Sequence, residues 1–370
     1  MTVDAQERLD TMALLAVADP ADMLRQVASS AAQVRAAVRA TQEADLTEIL
    51  AAGRPRAIVV TGMGGSGVAG DVLAALCGRG CPVQVLPVHD YQLPAWVGAA
   101  DLVIAVSCSG GTEETIAAAA EAVRRGCRLI GVGGEGSQLA MIAQQARAPF
   151  IGVVSAGTPR STLWGLSMPL VVIAGRLGLL EAGAEEYESA AAELERISHL
   201  CRPDSESFVN PAKSLALDLS GTLPMIWGTS PLAGVAAYRF ACQLNENAKY
   251  PAAIGTLPEA NHNQVVTFDG PFAAGLDGIG EDGPAVPLRL VLLRDSQEHP
   301  QVARRREESA RLAADRGIDV TELAAADGGP LERLASLVQL IDYATVYLAI
   351  ALGIDPGPVA AIQELKARIA

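Results

Sequence analysis

The chain has 370 residues, of which 50% are hydrophobic and only 4% aromatic, so about two domains with aliphatic cores are expected. Its formal net charge of −14 and pI of about 4.8 argue against nucleic acid and anionic membrane surfaces as partners. The six cysteines form no CxxC pair, so a zinc site is not expected.

Residues 1–52 are predicted to form an N-terminal helical arm. Apolar residues recur three and four apart after Asp19-Pro20, as in an amphipathic helix with a marked start. The arm packs on the first domain or makes a dimer contact. The acidic first residues lack a signal-peptide pattern, and apolar runs such as Leu166–Ala174 stop short of the ~20 residues of a membrane span. A cytoplasmic location without membrane contact is therefore expected.

Residues 53–180 have the pattern of an α/β domain. An apolar run, a small polar loop and an alanine-rich helical run follow one another twice, which indicates parallel strands flanked by helices. Five strands are predicted, at Ala57–Thr61, Pro82–Val88, Leu102–Val106, Arg128–Val132 and Pro149–Val153.

The first loop, GMGGSG, is compatible with two kinds of ligand. Gly62, Gly64 and Gly67 match GxGxxG, and Asp90 follows the next strand, where a dinucleotide fold has its ribose-binding acid. The loop also precedes a helix, whose unpaired N–H groups and dipole favour any anion. No GxxxxGK[ST] motif is present, so a P-loop nucleotidase is excluded.

The second loop, SCSGGTEET, favours a phosphate monoester over a dinucleotide. It places the hydroxyls of Ser107, Ser109 and Thr112 around a Gly-Gly pair at the start of another helix. A terminal phosphate has three oxygens that accept several short hydrogen bonds, and this loop offers both hydroxyls and amides.

Residues 181–208 are predicted to be a linker helix, and residues 209–370 a second α/β domain. A strand, the turn Gly228-Thr229-Ser230 and a helix repeat the first architecture weakly, without its glycines. Further on, a strand is predicted at 287–294 and helices at 300–316, 330–352 and 358–369.

Four polar side chains are candidates for chemistry, each with an ordinary alternative. Arg160, between a predicted strand and helix, is an anion ligand or a surface cation. Glu246 in NENAK is a base or a solvated helix-end residue, and His262 in EANHNQ is an acid–base group or structural. Lys366 lies in a segment, ELKAR, that is typical of a surface helix.

Together, GMGGSG, SCSGGTEET, TPRS, NENAK, EANHNQ and the segment YLAIALGIDPGPVAAIQELK resemble the bifunctional phosphoglucose/phosphomannose isomerase family. The resemblance runs from about residue 55 to the C-terminus. It implies an α/β fold of two SIS-type domains, each a parallel-sheet sandwich flanked by helices. It also implies an enzyme of glycolysis and gluconeogenesis that needs no cofactor or metal and interconverts glucose 6-phosphate, mannose 6-phosphate or both with fructose 6-phosphate through a cis-enediolate.

The resemblance also implies roles for particular residues. Glu246 matches the base, Arg160 the residue that stabilises the enediolate, and His262 and Lys366 the ring-opening His and the C-terminal Lys. The positions that match the phosphate-binding loops are Gly64, Gly65, Ser66, Ser107, Ser109 and Thr112. In related isomerases the His comes from the neighbouring subunit, which implies a homodimer acting on a hexose 6-phosphate.

Two departures from the family pattern leave a second hypothesis open. Gln264 stands where the family usually has Glu, and the turn Gly131–Gly136 replaces a threonine-rich one. These changes fit a catalytically silent protein that binds sugar phosphates as a sensor or regulator.

Overall fold

The computed structural model describes residues 4–155, 157–273 and 286–369, which divide into two compact units. The first-sheet unit comprises Ala28–Glu195 and Gly329–Glu332, and the second-sheet unit comprises Met1–Val27, Arg196–Gly328 and Arg333–Ala370. The domain boundaries given above stay a prediction.

Helices and parallel strands alternate along the chain. The α-helices are α1 (Ala5–Asp10), α2 (Met12–Ala18), α3 (Met23–Ala28), α4 (Ser30–Glu43), α5 (Thr47–Ala51), α6 (Gly65–Cys77), α7 (Glu113–Arg124), α8 (Gln138–Gln145), α9 (Leu163–Arg176), α10 (Ala184–Leu200), α11 (Pro211–Leu219), α12 (Pro231–Gln243), α13 (Pro300–Asp315), α14 (Pro330–Ala351) and α15 (Ala360–Ile369). The strands are β1 (Ala57–Thr61), β2 (Gln84–Val88), β3 (Leu102–Ser107), β4 (Arg128–Gly133), β5 (Phe150–Gly152), β6 (Leu223–Gly228), β7 (Ala253–Thr256), β8 (Leu288–Arg294) and β9 (Asp319–Ala324).

The first-sheet unit is built on five parallel strands in the order β2-β1-β3-β4-β5. Every residue of β1 and β3 is buried, as expected of parallel strands covered on both faces. Alternate side chains enter two different cores: Ile58 and Ile104 pack with α6 and α9, whereas Val59 and Val103 pack with α7. Because successive side chains of a strand point to opposite faces of the sheet, α6 and α9 cover one face and α7 covers the other.

The second-sheet unit has four parallel strands in the order β7-β6-β8-β9. Trp227 of β6 and Leu290 and Leu292 of β8 form a core with Phe268 and Ile318. The strands β7 and β9 lie at the edges, and their residues are mostly exposed or half-buried. The predicted fold class, two parallel sheets flanked by helices, is confirmed.

By length and composition alone, helix α14 could span a membrane. From the sequence, every apolar run is expected to be too short for this. The most apolar 18-residue window of α14 has a mean hydropathy of 1.6, and 94% of that window is buried inside the fold. Core helices of globular proteins commonly have this composition.

Within the second-sheet unit, the side chain of Lys213 on α11 connects separate segments of the chain. It is only 1% exposed, and its ammonium donates hydrogen bonds to the carbonyls of Leu9, Pro203 and Ser205 at 2.5, 2.9 and 2.7 Å. Burial lowers the pKa of Lys213, and the Asp10 carboxylate at 3.6 Å opposes that shift. Because the three carbonyls are far from α11 in sequence or lie in a loop, this one cation holds α1 and the 203–205 loop in place.

Replacing Lys213 by Met should destabilise the fold by about 3 kcal/mol, because two buried carbonyls and one half-buried carbonyl lose their donor. The matched control is Lys249→Met. Lys249 also donates to three carbonyls but is exposed, so its loss should cost less than about 1 kcal/mol. Urea unfolding of the three chains measures both values. Equal destabilisation by the two substitutions would show that the burial of Lys213 does not determine how much its hydrogen bonds contribute to the free energy of unfolding.

Candidate functional site

The candidate anion site lies at the carboxyl edge of the first sheet, where β1 and β3 are neighbours. Gly64 precedes the first residue of α6 with φ of +54°, a conformation that strongly favours glycine, and Thr112 precedes α7. Two helix N-termini therefore begin side by side, and their unpaired N–H groups can bind an anion. Both belong to the loops that the sequence predicts to bind phosphate.

The two loops are joined by a hydrogen bond from the Cys108 N–H to the Ser66 Oγ, at 3.1 Å. Ser66 is 5% exposed and lies in the first turn of α6. Within the second loop, the hydroxyls of Ser107 and Thr112 are 2.9 Å apart. The exposed Ser109 accepts a hydrogen bond from the Gly111 N–H at 3.3 Å. These bonds fix the positions of the hydroxyls before any ligand arrives.

The glycine-rich segment Gly131–Gly136, predicted to be a turn, begins with the last three residues of β4 and packs against the second loop. A Cβ on Gly133 would lie 1.9 Å from the Ser107 carbonyl oxygen, and one on Gly134 would lie 3.2 Å from that of Cys108. The Leu139 N–H donates to the Gly110 carbonyl at 2.9 Å. Glycines in this turn therefore allow two stretches of backbone to pack directly on each other.

Arg160 lies in the same unit as both loops. It is 4% exposed and belongs to a short 3₁₀ helix, Pro159–Ser161. The backbone of this segment adjoins the start of α6, since a Cβ on Gly65 would lie 3.5 Å from the Arg160 Cα. Gln33 on α4 donates to the Ser161 carbonyl at 2.8 Å and holds the segment there. The sequence alternative that Arg160 is an exposed surface cation is wrong.

Glu246 lies in a single π-helical turn, Leu244–Ala248, that continues α12, and it is half-buried. The end of α12 and the turn that continues it are held to α14 by buried polar contacts. Arg239 donates to both oxygens of Asp342, at 2.9 and 2.5 Å, and Gln243 donates to the same carboxylate. Asn247 donates to the Thr345 hydroxyl at 3.0 Å. Such π-turns are frequent at functional sites because they alter the direction of the side chains that they carry.

His262 ends a 3₁₀ helix, Glu259–His262, and is exposed. The segment after it is fixed by the Gln264 amide. Its Oε1 accepts from the Trp227 indole N–H at 2.6 Å, and its Nε2 donates to the Ile254 carbonyl at 2.7 Å. An ionised Glu could make only the first of these bonds. Gln264 is therefore fitted to this position, and the departure from the family pattern leaves the segment ordered.

Lys366 lies on α15, on which no residue is buried. Its side chain is exposed. The exposure agrees with the surface-helix alternative and does not test a role in catalysis.

Comparison with known proteins identifies the family. The model of the bacterial phospho-glucose isomerase C-terminal SIS domain matches residues 208–369. A bifunctional phosphoglucose/phosphomannose isomerase of Caldicellulosiruptor bescii is 33% identical over 314 residues, which are 85% of this chain and 89% of that protein. The protein of the same name from Aquifex aeolicus is 30% identical over 84% of this chain and 89% of its own.

The chain belongs to the bifunctional phosphoglucose/phosphomannose isomerase family. The fold agrees: a hypothetical protein from Thermus thermophilus, 16% identical, superposes with a TM-score of 0.71 over 98% of this chain and 93% of that one. The resemblance stated from the motifs is confirmed.

Membership of this isomerase family does not by itself assign the site residues. In the first-sheet unit the structure brings together the two loops and the segment of Arg160. Glu246, His262 and Lys366 belong to the second-sheet unit, and their roles stay predictions. Gln243, Asn247 and Asp342 could not be identified from the sequence, because helix periodicity identifies a buried face but not which polar residues pair across it.

Gly133→Ala should destabilise this isomerase fold by roughly 2–3 kcal/mol, because the added methyl group must displace the Ser107 carbonyl. Gly111→Ala is the control: a Cβ there meets no atom within 4 Å, so its effect should stay within about 0.5 kcal/mol. Thermal and urea unfolding report both changes. If Gly133→Ala unfolds like the parent chain, the turn does not support the second loop.

Proposed function

We propose that the protein interconverts glucose 6-phosphate, mannose 6-phosphate or both with fructose 6-phosphate through a cis-enediolate, with no cofactor. The observation that carries the proposal is the pair of helix N-termini at adjacent strand ends, joined through Ser66 and Cys108 and surrounded by hydroxyls. Family membership adds to this observation, because the relatives from Caldicellulosiruptor bescii and Aquifex aeolicus are named bifunctional phosphoglucose/phosphomannose isomerases. Those relatives do not favour the catalytically silent alternative.

The substrate phosphate is assigned to the first-sheet unit. Its oxygens would accept hydrogen bonds from the amides and hydroxyls of Gly64, Gly65, Ser66, Ser107, Ser109 and Thr112. With a net charge of −14, the protein repels anions at long range, so affinity must come from these local donors. Binding the phosphate far from the reacting carbons lets that energy orient the sugar.

The chemical steps are assigned to four side chains. Glu246 removes the proton from C2 and returns it at C1, a task that suits a half-buried carboxylate. The Arg160 guanidinium stabilises the negative charge that develops on the enediolate. His262 and Lys366 exchange protons with the ring oxygen and O1 during ring opening.

We further propose that the protein is a cytoplasmic homodimer acting in glycolysis and gluconeogenesis. Several large apolar side chains of the second-sheet unit are exposed in the single chain, among them Val266 at 66%, Leu365 at 59% and Ile369 at 72%. Exposed apolar surface of this kind favours association. Analytical ultracentrifugation at micromolar concentration that finds only the 38.2 kDa chain would exclude the dimer.

Glu246→Gln is expected to abolish isomerisation, with a loss in kcat of about 10³-fold or more, because the amide cannot take the C2 proton. Fructose 6-phosphate affinity, measured by calorimetry, should change by less than about threefold, since the phosphate contacts remain. Glu308→Gln, at an exposed surface ion pair with Arg311, is the control and should keep the parent rate.

A coupled assay on both aldose phosphates decides between the outcomes. Turnover by Glu246→Gln near the parent rate would remove Glu246 from the mechanism. Binding of fructose 6-phosphate by the parent chain without turnover of either substrate would instead support the sensor alternative.

A further inference from the structure

His89 follows β2 and packs against the first glycine loop. Its Nδ1 lies 2.9 Å from the Gly62 carbonyl oxygen. A Cβ on Gly67, in the first turn of α6, would lie 2.8 Å from the same nitrogen. The ring therefore contacts both the strand end of the loop and the helix start, and its side chain is 39% exposed.

Asp71, one turn further along α6, faces the other ring nitrogen. Its Oδ2 lies 3.7 Å from His89 Nε2, too far for a hydrogen bond but within the range of an ion pair. That oxygen is buried and has no hydrogen-bond partner among the described residues. A buried carboxylate oxygen without a donor is costly unless a cation lies nearby. The charged ring of His89 is the group in position to provide that cation.

No other titratable side chain faces the ring from the elements described as packed on it. The loop Gly62–Gly67 has no ionisable residue, nor does β2. The neighbouring Asp90 uses its carboxylate to accept from the Tyr91 N–H at 2.6 Å. The Asp71 carboxylate raises the pKa of His89, the hydrogen bond to the Gly62 carbonyl adds to the rise, and burial opposes it.

We propose that His89, held by Asp71, is a positioning residue of the phosphate site. In its protonated form it donates to the Gly62 carbonyl, fixes the glycine loop, and adds positive charge beside the N-terminus of α6. This inference rests on the proposed function, because it takes the phosphate of a hexose 6-phosphate as the anion at that terminus. His89 acts through the loop and through its field, and it is given no contact with the reacting carbons.

The sign of the pH dependence follows from the raised pKa. The positive charge is present at low pH and is lost as pH rises through the pKa of His89, above the ordinary value of about 6.5. Sugar phosphates themselves titrate near pH 6, which alters KM in every variant. The ratio of the variant KM to the parent KM removes that shared contribution.

The experiment compares parent, His89→Ala, His89→Asn, Asp71→Asn and the control His299→Asn from about pH 6 to pH 9. His89→Ala should raise KM for the hexose phosphate about 10-fold at low pH while kcat changes less than about twofold, because the loss is one of uniform binding. The ratio should fall as pH rises. His89→Asn keeps an N–H that can replace Nδ1, so it should recover part of the affinity that His89→Ala loses. Because the Asn amide carries no charge, this recovered affinity should not depend on the protonation of residue 89.

Asp71→Asn should move the fall in affinity to lower pH, because the neutral amide no longer favours the charged ring. His299→Asn should leave KM and its pH profile unchanged, since His299 caps α13 in the second-sheet unit and Asn is a good N-cap. Calorimetry with fructose 6-phosphate checks binding without turnover, and thermal unfolding checks that each variant folds.

Parent-like KM across the pH range in both His89 variants, or a loss in kcat without a change in KM, would overturn the inference. If His89→Ala does not fold, the pH profile of His89→Asn decides. A parent chain that binds no hexose phosphate would overturn the proposed function and this inference with it. If the parent chain binds hexose phosphate and the His89 variants have the same KM as the parent, the inference about His89 is overturned but the proposed function is not.

Discussion

The hydrogen bond from the Cys108 N–H to the Ser66 hydroxyl oxygen is the contact on which the anion site depends. It joins loops that follow two neighbouring strands, so the helix N-termini of α6 and α7 keep a fixed separation. One helix N-terminus attracts anions weakly and without shape. Two that are held at one sheet edge, with hydroxyls between them, can match the several oxygens of a phosphate. The parallel order of β1 and β3 makes that arrangement possible.

Close backbone packing sets the shape of this site more than side-chain volume does. Gly133 at the end of β4 and Gly134 after it bring their backbone against the carbonyls of the serine loop, and Gly67 leaves room for the His89 ring. A methyl group at either place would push a strand end or a helix start outward. A loop that holds an anion through amides has little tolerance for such shifts, because hydrogen bonds weaken steeply with distance and angle.

Much of the first sheet could be predicted because its central strands β1, β3 and β4 are short, apolar and almost entirely buried, and because the phosphate loops are contiguous in sequence. The edge strands β7 and β9 were not predicted: β7 is short and mostly exposed, and β9 carries Asp319 and Glu322, so neither has a clear apolar pattern. The π-turn of Glu246 also could not be predicted. The residues of α- and π-turns are alike, and the choice depends on polar contacts with α14, which is distant in sequence.

Contacts within the protein also account for the two departures from the family pattern, Gln264 and the Gly131–Gly136 segment. Gln264 contacts Trp227 and the Ile254 carbonyl, and the Gly131–Gly136 segment packs on the backbone of Ser107 and Cys108. Gln264 both accepts and donates, which a carboxylate cannot do beside a backbone carbonyl. The glycine turn exchanges hydroxyls for backbone contact with Ser107. Each change is matched by a partner in the structure, as expected when a site is kept by compensating contacts instead of by one residue type.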